Sequence, residues 1–99
     1  MALQDLIFTK EEEGVYVSSP VQLKDNIGIH IELPKATNNM VSGNTVSIFQ
    51  SMTDTEYALT SFNNYVGNVF DRVLTGALTG MYIKIQCNQM PLVAKILIP

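Results

Sequence analysis

Ile27-Gly28-Ile29-His30-Ile31-Glu32-Leu33 is the stretch whose reading decides the fold class. Ile27, Ile29, Ile31 and Leu33 recur at period two, while Gly28, His30 and Glu32 occupy the alternate positions. Successive side chains of an extended chain point to opposite faces, so this is a strand with one face in a core. Pro34 has no N–H to give to a ladder, and Lys35-Ala36-Thr37-Asn38-Asn39 is polar, so the strand ends in a surface loop. Past the loop, Ser42-Gly43-Asn44 tolerates positive φ and suits a tight hairpin turn into a second strand, Thr45–Ser51.

Working outward, Met81–Cys87 alternates again, Asn88-Gln89-Met90-Pro91 offers a turn, and Leu92–Ile98 returns, which predicts a β-hairpin. Leu6–Thr9, Gly14–Ser18 and Pro20–Leu23 are shorter runs suited to edge strands. Glu11-Glu12-Glu13 between them reads as a solvated acidic turn that discourages edge-to-edge pairing.

Residues 53–76 read two ways. Phe62, Tyr65, Val66, Val69, Phe70, Val73 and Leu74 follow helical spacing, with Ser61 as N-cap and Gly76 as stop. The same stretch holds Asn63, Asn64, Gly67, Asn68 and three valines, poor helix formers, and Val66-Gly67-Asn68-Val69 suits a two-residue hairpin turn. Turn signals every 8–12 residues or so favour strands throughout. The expected fold is therefore all-β: one antiparallel β-sandwich over residues 1–99, Ig-like or jelly-roll-like. Residues 1–13 could extend as an N-terminal arm, and a short helix within 61–75 is the alternative to strand.

Composition narrows the function classes. The chain has 99 residues, a net charge of −3 and no cluster of Lys or Arg with which to neutralise phosphates, which argues against nucleic acid. No basic leader followed by an apolar stretch opens the sequence, and no window reaches the ~18 apolar residues of a membrane helix, so neither export nor membrane insertion is expected. The single cysteine, Cys87, rules out an internal disulfide. Charged residues make up only 15%, against about 25% in ordinary domains, and mean hydropathy is +0.16. A chain so poorly charged, ending in the apolar run Ile96-Leu97-Ile98, is expected to complete its surface against neighbours, by self-association or in a large assembly.

Residues able to do chemistry are few. His30 is the only histidine; with Glu32 on the same face it makes a surface pair, and two ligands do not make a metal site. Cys87 alternates with Ile83 and Ile85 and reads as a core residue. Asp54, Glu56 and Asp71 could approach one another around calcium if the Tyr57 and Phe70 segments paired as neighbouring strands, but 51–56 reads more simply as a hairpin connection. Tyr16, Tyr57, Tyr65 and Tyr82 could stack on sugar rings or anchor an interface. No catalytic residue, cofactor or metal is expected.

The succession Val46-x-Ile48-x-x-Ser51-x-x-Asp54-x-x-Tyr57, then Phe70-Asp71-Arg72-Val73-Leu74-x-Gly76, then Gly80-Met81-Tyr82-Ile83-Lys84-Ile85 and a late Pro91, resembles the small β-sandwich virion proteins of tailed bacteriophages, of the capsid-decoration and auxiliary type. The resemblance covers roughly the last half of the chain and is one of strand and turn rhythm. It departs from the pattern where Asp54-Thr55 stands in place of Asp-Gly. It implies a non-enzymatic structural subunit bound on or between capsid proteins, in a virion assembled in the host cytoplasm. The alternative is a carbohydrate-binding sandwich using exposed tyrosines, disfavoured by the lack of tryptophan.

Overall fold

The alternation that begins at Ile27 is realised as β5 (Ile27–Glu32), buried at every second residue. The structure, a computed structural model, describes residues 2–24, 27–35, 43–65, 68–74 and 80–98. The strands among them are β1 (Ala2–Asp5), β2 (Phe8–Glu12), β3 (Val15–Ser18), β4 (Val21–Gln22), β5, β6 (Asn44–Ser51), β7 (Ala58–Tyr65), β8 (Val69–Leu74), β9 (Tyr82–Cys87) and β10 (Val93–Ile98). They form two antiparallel sheets: β1-β10-β5-β8, and β2-β3-β9-β6-β7 with β4 also paired to β9. Isoleucine and leucine side chains of both sheets fill the layer between, with Ile31, Leu33, Val46, Ile83 and Ile85 fully shielded from solvent.

Six of the nine connections between successive strands change sheet: β1 to β2, β4 to β5, β5 to β6, β7 to β8, β8 to β9 and β9 to β10. With β3 and β4 counted as one interrupted strand and β2 as an added hairpin partner, the two orders are those of an eight-stranded jelly roll. Of the two sandwich types expected, the topology is thus the jelly roll.

The same topology corrects several local readings. Met81–Cys87 and Leu92–Ile98 are both strands, yet β9 and β10 lie in different sheets and form no hairpin. Gly43 has the expected positive φ of 71°, but the chain passes there from β5 in one sheet to β6 in the other. Asn68 likewise follows β7 and precedes β8 of the opposite sheet, so no hairpin joins them. Of the described residues within 61–75, 61–65 and 69–74 are strand, Asn68 is a bend, and none is helical. Of the expected arm 1–13, the described residues are tied into the sheets: β1 pairs with β10, and β2 pairs with β3. Ser42, Val66, Gly67, Gly76 and residues 36–39 lie outside the described residues.

Two hairpins do form. β2 and β3 turn at Gly14 (φ 79°), with Lys10 paired to Glu13 at 2.8 Å. β6 and β7 turn through residues 52–57, as expected. There Asp54 itself adopts φ 60°, a conformation that Asp and Asn tolerate better than most residues, and accepts a hydrogen bond from the Tyr57 hydroxyl. The turn is made by Asp54, and no glycine at position 55 is needed.

Ser18 holds the break between β3 and β4. The ladder with β9 runs through Val17–Gln86, lapses, and resumes at Val21–Ile83, with Pro20 in the gap. The Ile85 N–H in that gap donates instead to the buried Ser18 hydroxyl at 2.9 Å. Ser18→Ala would strand this N–H, and a loss of about 1–3 kcal/mol in a urea titration is the expected result.

Candidate functional site

The outer face of the four-stranded sheet follows from its registers. Leu3, Leu97, Gly28 and Val73 align across β1, β10, β5 and β8, and one step along lie Asp5, Lys95, His30 and Asp71. The first row is apolar and open to solvent: Leu3 is 63% and Val73 66% exposed. Gly28 has no side chain to fill the row between Leu97 and Val73, and an open hollow of about 300 Å³ lies over this part of the sheet. A methyl group at position 28 would meet Leu97 Cβ at 3.4 Å, an ordinary packing distance, and would begin to fill the hollow.

The second row is charged and internally satisfied. Lys95 pairs with Asp5. His30 Nδ1 pairs with Asp71 Oδ1, and His30 Nε2 meets Glu32 Oε2 at 2.8 Å. Carboxylate oxygens only accept, so both ring nitrogens are best used when both carry a proton, and the pair of acids holds an imidazolium. The His30 pKa accordingly lies above its ordinary 6.5, through the hydrogen bond with Glu32 first and that with Asp71 next. A pKa raised on folding stabilises the native state fully below the unfolded value and is lost as pH rises through the folded one. With His30 more than a third exposed, solvent keeps the effect below about 1 kcal/mol. An NMR titration is expected to place the His30 midpoint above 6.5, and Glu32→Gln or Asp71→Asn to bring it down.

This arrangement makes His30 a poor general base, since both nitrogens are engaged. Cys87 is no partner for it: the thiol is buried on the inner face of the other sheet, where desolvation pushes its pKa up to about 12. The expectation that Cys87 is a core residue holds. Asp54 and Glu56 lie in the β6–β7 turn of one sheet and Asp71 on the outer face of the other. The Tyr57 and Phe70 segments are not neighbours, because β7 pairs with β6 and β8 with β5, and the three acids are not brought together. Among the described residues no group of three or more His, Cys, Asp or Glu is placed to hold a metal ion. Sequence reasoning placed His30 and Glu32 on one face but missed Asp71, whose partnership comes from cross-strand register.

The outer face of the larger sheet carries a second apolar surface. Phe49 lies opposite Leu59 on β7 and Lys84 on β9, and Phe62 lies opposite Ser47. Leu59 and Phe62 are more than half exposed. Tyr57 is not an open ring here: Lys84 Nζ sits 4.5 Å over it, and its pKa is raised by burial first and next by the hydrogen bond its hydroxyl donates to Asp54. Tyr16 and Tyr82 are half-buried, and the side chain of Tyr65 lies outside what is described.

No protein-family model matches the chain, and no curated protein or solved structure is significantly similar to it. What the fold and its faces define is a jelly-roll sandwich with apolar, solvent-facing sheets.

Proposed function

We propose that this chain is a non-enzymatic structural subunit of a phage virion, an auxiliary or decoration protein seated on or between capsid subunits. The observation that carries this reading is the outer face of the four-stranded sheet, where the Leu3–Leu97–Val73 row and its hollow stand in water beside a charged row already paired within itself. Monomers rarely leave such continuous apolar surface uncovered, and a protein partner would cover it at little cost in desolvated charge. The jelly roll recurs among viral capsid domains, which supports the reading by analogy of fold. It recurs among lectins as well, but the sugar-binding alternative needs open aromatic rings, and Tyr57 is capped by Lys84.

The test is to purify particles of the source virus to homogeneity and seek this chain in them by mass spectrometry, then to add the purified chain to particles lacking it. Co-sedimentation that is lost in Val73→Asp is the expected outcome. Absence from purified particles, or glycan-array binding abolished by Tyr82→Ala, overturns it.

A further inference from the structure

The four sheet edges of the sandwich are β1, β8, β2 and β7, and three of them carry the charges that keep strand edges from pairing. β1 is four residues long and ends in Asp5; β8 contains Asp71 and Arg72; β2 contains Lys10, Glu11 and Glu12 and has a register shift between Lys10 and Glu12. β7 has none of these charges. It is eight residues long, reads ALTSFNNY, and contains no Lys, Arg, Asp, Glu or Pro.

Its one irregularity adds to the exposure. Register shifts between Ile48 and Phe49 of β6, leaving Thr60 as an extra residue between Ser61 and Leu59. Leu59 and Phe62 are three apart and would face opposite sides of a regular strand. The extra residue brings both to the outer face, opposite Phe49 and Ser47, and both are more than half exposed. On the inner side, Arg72 of β8 donates to the Ser61 hydroxyl at 2.8 Å and fastens the strand to the sandwich.

We propose that two copies of this chain join edge to edge through β7, their larger sheets continuing into one another across a two-fold axis. Antiparallel pairing with Leu59 of one copy opposite Phe62 of its partner also sets Phe62 opposite Leu59, so the contact is self-complementary, as a two-fold interface requires. Thr60 and Ser61 meet at the axis, small and uncharged, and Phe49 of each copy extends the apolar strip. Charge favours this edge for a second copy: each chain carries −3, and β7 adds no like charge to the contact. This pairing goes beyond the virion reading and does not depend on it.

Sedimentation equilibrium of the purified chain is expected to give a dimer, and Leu59→Lys/Phe62→Lys to weaken it at least about 100-fold while the circular dichroism spectrum stays that of the folded chain. Should the double lysine variant fail to fold, Leu59→Cys/Phe62→Cys serves instead: mild oxidation is expected to give a covalent dimer, the native Cys87 being buried. A wild-type chain monomeric at millimolar concentration overturns the proposal. So does a dimer indifferent to the lysines, or one that the paired cysteines do not cross-link; a strand edge reserved for a different protein would show as the first of these.

Discussion

Ile31→Ala is expected to reduce the unfolding free energy by about 2–5 kcal/mol, a large share of the total for a domain of this size. Ile31 is fully buried near the C-terminal end of β5, with Ala94 on one neighbouring strand and Phe70 on the other. Truncation removes three carbons from the closed layer between two sheets, and the hydrogen-bonded strands on either side cannot collapse to fill the space. Guanidinium titration followed by circular dichroism measures the loss. His30→Ala, one residue away on the outer face, is the control and is expected to cost under about 1 kcal/mol near neutral pH.

The second large loss is expected at Asn44→Ala, about 2–4 kcal/mol by the same titration. Asn44 is completely buried at the start of β6. Its amide donates to the Pro34 carbonyl at 3.1 Å and accepts from Gln89 Nε2 at 2.7 Å, and Gln89 also donates to Pro34 at 2.9 Å. Asn88 joins in by donating to the Gly43 carbonyl and accepting from the Thr45 N–H. These side chains tie the two ends of the β5–β6 connection to the β9–β10 turn. Removing the Asn44 amide takes one of two donors from the Pro34 carbonyl and one of two acceptors from Gln89, leaves a void at a fully buried position, and is expected to accelerate hydrogen exchange at Thr45 and Gln89.

The strands were legible because burial writes itself as alternation, most plainly at Ile27–Leu33 and Met81–Cys87. Which strands pair was not. Residues 88–91 look like a hairpin turn whether the next strand returns beside β9 or crosses to the other sheet, since local φ preferences are alike in the two cases. The helical spacing of Phe62, Tyr65, Val69 and Phe70 had a different origin. The run crosses from β7 to β8 of the opposite sheet, so its apolar positions belong to two strands whose joint spacing mimics a period near 3.6. The site was legible in half. His30 and Glu32 share a face by parity alone, whereas Asp71, Lys95 and the hollow beside Gly28 depend on β8 and β10 flanking β5, which no local pattern encodes.

β10 lies between β1 and β5, so a strand from the far end of the fold in sequence order is the one that joins β1 to the rest of its sheet. Until Val93–Ile98 pairs, β1 has no neighbour and the inner face of β5 lacks Ile96 beside it. Closure of the four-stranded sheet therefore waits for β10, and until that strand pairs, β5 carries an open row of backbone donors and acceptors. Half-closed sheets of this kind can pair with one another, so refolding from denaturant is expected to lose more chain to aggregation as its concentration is raised.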